Sequence, residues 1–162
     1  MTYTYLKKSS KQPTTDTSDV RDTVQTILDE IEKGGDAKAL EYAKKFDKYD
    51  GNLLLTEEEV EAACALVPDQ LKKDIQFAHA NVKKFAELQL ETCQDVEVEI
   101  VPGLIAGQKS IPCQTAGCYI PGGRYSHIAS AIMTVTTAKV AGCKNIIACS
   151  PPRPEIGIAP AI

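Results

Sequence analysis

An export signal is missing from this 162-residue sequence. The opening stretch MTYTYLKKSSKQPTT has no apolar core of the kind a secretory leader needs, which points to the cytoplasm. No run approaches the roughly 20 apolar residues of a membrane helix, so a membrane protein is not expected. A basic excess is absent too. Lys and Arg number 18 against 22 Asp and Glu, and the net charge is −4 with a pI near 5.2. That balance excludes a nucleic-acid footprint as the default reading. Histidine is scarce, with only His79 and His127, far apart. Six cysteines are present without a Cys-x-x-Cys pair, the tightest spacing being Cys113 to Cys118. A structural zinc set therefore finds little support, and without an export signal the thiols are expected to be reduced. What remains is an ordinary globular composition, 43% hydrophobic and 25% charged, on a length that suits one domain or slightly more.

The first ninety residues read as mostly helical. Residues 1–15 form a polar arm. From Ser18, Val20, Val24, Ile27, Leu28 and Ile31 recur at helical spacing, with Ser18 or Asp16 as cap, and Gly34-Gly35 ends the run. A shorter helix covers Asp36 to Phe46. Thr56-Glu57-Glu58-Glu59 is a capping box that opens a third helix, closed at Val67-Pro68. A long helix from Asp69 to Leu90 carries Leu71, Ile75, Ala78, Val82 and Phe85 as its expected buried stripe.

Composition then changes. Val96-Glu97-Val98-Glu99-Ile100-Val101 alternates as a half-buried strand should, Pro102-Gly103 reads as a turn, and Leu104 to Ile111 as a return strand. Ala116 to Ile120 is a short buried strand, Pro121-Gly122-Gly123 a tight turn, Ser126 to Ala141 a helix, and Asn145 to Cys149 a second apolar strand. This is a βαβ unit with parallel strands. Two parallel strands leave exposed edges, so residues 115–162 by themselves are expected to be poorly soluble or only partly ordered.

Chemistry is best placed at Tyr119-Ile120-Pro121-Gly122-Gly123, where a strand runs into a helix N-terminus. There free N–H groups and the helix dipole favour anions, and glycines let a phosphate approach the backbone. The motif is neither a Gly-x-Gly-x-x-Gly fingerprint nor a Walker A loop, and a ligand-free tight turn is the competing reading. Arg124 can pair with phosphate, sulfonate or carboxylate. His127 is a base or ligand, or simply a polar residue at a helix start. Cys118 is a nucleophile or an inert buried thiol. No triad, carboxylate dyad or metal set can be assembled.

Several motifs in order resemble the histidinol dehydrogenase family: Gly35-Asp36-Ala37-Lys38-Ala39-Leu40 with Lys45-Phe46-Asp47; Ala78-x-x-Asn81-Val82-x-x-Phe85; Gly107-Gln108-x-x-x-Pro112; Tyr119 to Gly123; Thr137 to Cys143; and Cys149-Ser150-Pro151-Pro152. The resemblance implies an α/β chain: a mainly helical region with a hairpin over 16–114, then over 115–162 the start of an incomplete Rossmann-like nucleotide-binding domain. It implies the N-terminal fragment of a zinc-dependent, NAD-linked alcohol dehydrogenase, a cytoplasmic homodimer that oxidises histidinol through its aldehyde to histidine. Tyr119 matches a nucleotide-contacting tyrosine, and Pro121, Gly122 and Gly123 are the expected cofactor-binding companions. Zinc ligands and catalytic residues are expected outside this chain.

Two features depart from histidinol dehydrogenases. Arg124-Tyr125-Ser126-His127-Ile128-Ala129-Ser130 is similar to the branch that oxidises sulfopropanediol, a sulfonated C3 alcohol, and Phe85-Ala86 stands where the family often has Phe-His. Arg124 is then an anion contact, to a sulfonate or to cofactor phosphates. The chain by itself is expected to be catalytically inert. The competing class is a non-catalytic nucleotide-binding or dimerisation module.

Overall fold

A computed structural model describes residues 18–122, 125–152 and 157–162. The polar arm expected at 1–15 lies outside the described residues. The chain divides into two compact units, Met1–Tyr42 and Ala43–Ile162.

In the first unit, helix α1 (Ser18–Asp47) is interrupted at Gly35, whose φ of 58° and ψ of −147° are not helical. A side chain is strained there, so glycine is the residue that permits the break. The Gly34-Gly35 break between two helices is thus observed. Residues twelve apart in a straight helix lie about 18 Å apart along its axis. Yet the Tyr42 hydroxyl donates to the Glu30 carboxylate at 2.7 Å, so the chain folds back at Gly35. Lys38 sits between Glu30 and Glu41, 3.0 Å from each. Hydrogen bonds to Glu30 and then to Glu41 hold its ammonium well above the usual lysine range.

In the second unit, α1 runs out at Asp47 and Lys48 takes a left-handed φ of 58°. Helix α2 (Glu57–Leu66) starts as its sequence requires. The Thr56 hydroxyl accepts from the Glu59 amide at 3.2 Å, while the Glu59 carboxylate accepts from the Thr56 amide at 2.8 Å. Val67 leaves the helical region before Pro68, and helix α3 (Asp69–Glu91) follows. Leu71, Ile75, Ala78 and Val82 are half-buried as expected. Phe85 is not, being 63% exposed. The stripe steps by four from Val82 to Ala86, whose small side chain is buried, and Phe85 falls off its flank.

Strands β1 (Val96–Val101) and β2 (Leu104–Gln108) pair antiparallel around Gly103, which has a φ of 84°. The return strand ends at Gln108, three residues short of the expected Ile111. Both strands are exposed at every position, against the expectation of a half-buried β1. Alternation fixes which side chains share a face, but burial needs a covering element. Among the described elements β1 and β2 pack only on each other.

Strands β3 (Thr115–Tyr119) and β4 (Asn145–Cys149), joined through helix α4 (Ile128–Val140), pair in parallel with Tyr119 opposite Cys149. The expected βαβ unit is present, with β3 starting one residue earlier and α4 two residues later than the sequence indicates. The Ile120 amide donates to the Cys149 carbonyl at 2.8 Å, carrying the pairing one step further. Helix α4 packs on α3 and on both strands. Side chains alternate across the pair. Cys118 and Ile120, on one side, are buried, whereas Gly117, Tyr119, Ile147 and Cys149, on the other, are exposed.

Candidate functional site

Both chains leave the parallel pair at its carboxyl end, where open α/β sheets hold their ligands. The two exits press together. A Cβ placed on Gly122 would stand 2.7 Å from the Pro151 carbonyl oxygen, so only glycine lets the segment after β3 pass the segment after β4 this closely. Pro121 and Gly122 are half-buried here. Gly123 and Arg124, the remaining expected members, lie outside the described residues.

Tyr119 is the last residue of β3 and turns to the uncovered side of the sheet, 62% exposed. Together with Cys149, Ser150, Pro151 and Pro152 it lines a cleft of about 490 Å³, a volume suited to a small organic ligand or cofactor moiety. The opposite wall comes from the end of α1 and the approach to α2, and includes Asp47, Tyr49 and Glu59. Three polar groups of this cleft are engaged elsewhere. The Tyr49 hydroxyl donates to the Asn52 carbonyl at 2.7 Å, Glu59 serves the α2 cap, and the Cys149 thiol reaches the Cys118 carbonyl at 3.7 Å. Ser150 differs: its Oγ is shut off from water and has no hydrogen-bond partner among the described residues. An orphaned hydroxyl at a strand's carboxyl end, beside an outward-facing tyrosine and a glycine pass, offers a hydrogen bond to a ligand that carries a polar group.

The other expected candidates are not gathered here. His127 is the exposed N-cap residue of α4 and makes no side-chain capping bond. His79 lies exposed on α3. Cys118 is buried under the sheet, on the side away from Tyr119, which suits an inert thiol. Among the described residues no three His, Cys, Asp or Glu side chains converge on a metal position, so the described residues do not fit zinc. No helix among them is long and apolar enough to cross a membrane. A second cleft, of about 550 Å³, is walled by Val60, Ala63, Val67, Ile75 and residues 158–162. Among the described residues it has no strand end and no orphaned polar atom. Sequence reading overlooked Asp47, Tyr49, Glu59 and Ser150. Of these, Ser150 had a signal, because the carboxyl-end rule applies to the segment after β4 as much as to the one after β3.

The chain matches the histidinol dehydrogenase family profile over residues 10–162. It belongs to the histidinol dehydrogenase family. Sulfopropanediol 3-dehydrogenase of Ruegeria pomeroyi is 66% identical over 162 residues, which is all of this chain and 37% of that protein. A histidinol dehydrogenase homolog of Pelagibacter ubique is 52% identical over 163 residues, covering all of this chain and 38% of that protein. In three dimensions the chain resembles crystalline histidinol dehydrogenase from Elizabethkingia anophelis, with a TM-score of 0.81, 34% identity, and coverage of 94% of this chain and 35% of that one. The chain thus spans little more than a third of the length of the relatives it matches. The mixed helix-and-strand architecture is that of the family.

Proposed function

We propose that the chain supplies the nucleotide-contacting N-terminal part of an NAD-linked alcohol dehydrogenase, with residues 115–162 opening its nucleotide-binding domain and 16–114 forming the mainly helical region before it. The observation that carries this reading is the exposed Tyr119 ring at the carboxyl end of β3, on the rim of the 490 Å³ cleft. When bound, NAD+ accepts the hydride removed from the alcohol carbon. The residues of this chain bind and orient it: Tyr119 offers its ring and hydroxyl, and Pro121, Gly122 and Gly123 bring backbone close. Arg124 provides a guanidinium for bidentate pairing with sulfonate or phosphate oxygens. The zinc ligands of the whole protein are proposed to lie outside this chain. The whole protein is proposed to act in the cytoplasm as a homodimer.

The substrate proposed is a sulfonated C3 alcohol of the sulfopropanediol type. Support comes from 66% identity to the sulfopropanediol enzyme, against 34% to the crystalline histidinol dehydrogenase. Histidinol is the alternative. The test uses the intact gene product with NAD+ and either alcohol. NADH formation is expected with sulfopropanediol and at least tenfold less with histidinol; the reverse order overturns the substrate assignment. Tyr119→Ala is expected to weaken NAD+ about tenfold, equivalent to ~1.4 kcal/mol, with the fold retained. Unchanged NAD+ affinity would remove Tyr119 from the site.

A further inference from the structure

Ser150 follows the last residue of β4 and lines the cleft beside Tyr119. Its Oγ is inaccessible to water and without a hydrogen-bond partner among the described residues. A buried hydroxyl in that condition costs the folded chain the full desolvation of a polar group and returns nothing in the free state. Three polar groups that line the same cleft are bonded elsewhere. Cys149 directs its thiol to the Cys118 carbonyl, Tyr49 directs its hydroxyl to Asn52, and Glu59 is committed to Thr56. Serine has one rotatable bond to its hydroxyl, so a rotamer change carries the oxygen into the cleft its own residue borders.

We infer that Ser150 is a binding residue for the dinucleotide. Its hydroxyl is unpaired in the conformation described, and with the cofactor bound it donates to a ribose or phosphate oxygen. This rests on the reading of the cleft as the NAD+ site and extends it from the β3 exit to the β4 exit. The ligand is thereby held from both strands of the parallel pair, Tyr119 on one and Ser150 on the other. The arrangement has a thermodynamic signature. Removing an unsatisfied buried hydroxyl relieves the free protein, whereas it deprives the bound state of a hydrogen bond. Ser150→Ala therefore moves stability and affinity in opposite directions, which a merely structural serine would not do.

The test compares wild type, Ser150→Ala and Tyr119→Ala in the intact gene product, measuring NAD+ affinity by titration calorimetry and the melting temperature without NAD+. Ser150→Ala is expected to raise the NAD+ dissociation constant at least fivefold while leaving the melting temperature equal or higher. Unchanged affinity in Ser150→Ala, with weakened affinity in Tyr119→Ala, overturns this inference and leaves the site standing. A lowered melting temperature together with weaker binding assigns Ser150 a structural bond and likewise overturns it. Failure of the wild type to bind NAD+ overturns the reading of the cleft itself.

Discussion

The two strand pairs of this molecule are built from similar lengths of chain and held together by different forces. The β1–β2 hairpin is local: five or six residues a side, one tight turn, and no covering element among those described. The β3–β4 pair joins strands about thirty residues apart in sequence, with α4 packed on one side and a cleft at one end. The hairpin depends on backbone and on its glycines. The parallel pair depends on a few buried side chains, chiefly Cys118 and Ile120, and both strands end at the same cleft because they point the same way. A covered face, more than the presence of a sheet, separates them.

Substitutions can break this contrast in graded fashion. The largest effect is expected from Ile120→Ala, because Ile120 is 1% exposed beneath the parallel pair. It should cost about 2–5 kcal/mol in urea denaturation. A loss below 1 kcal/mol would show that the pair is not held by its buried face. Next comes the hairpin's backbone. A Cβ on Gly107 would run into the Val96 carbonyl of the partner strand, so Gly107→Ala should open the ladder at a cost of about 1–3 kcal/mol, seen as faster amide exchange in β1. Gly103→Ala, at a φ of 84°, should cost about 1–2 kcal/mol by the same readout. The smallest effect is expected from Ile105→Ala: this side chain is 63% exposed, and its loss should stay within ~0.5 kcal/mol. An Ile105 effect equal to that of Ile120 would erase the distinction.

The sequence revealed local devices well. The Thr56–Glu59 capping box, the break at Gly35, the Val67-Pro68 boundary and the Pro102-Gly103 turn are each set by residues within a few positions of one another, and each appears where expected. The strand–turn–helix–strand order also puts Tyr119 at the carboxyl end of β3, as observed. What was not legible depends on what lies across space. The alternation in β1 could not say that no described element would cover it. The stripe of α3 could not say whether Phe85 or Ala86 would be buried. The isolation of the Ser150 hydroxyl emerges only when its neighbours are seen bonded elsewhere. The family resemblance was carried by short motifs in order, and the family profile matches residues 10–162, which include all of them.

Hydrogen exchange of the intact gene product with and without NAD+, resolved by peptide, tests the central claim most directly. The account predicts slowed exchange in peptides spanning 117–122 and 149–152 and no change across 96–108. Protection of the hairpin instead, or no protection at the two strand exits while NAD+ is bound, would contradict it.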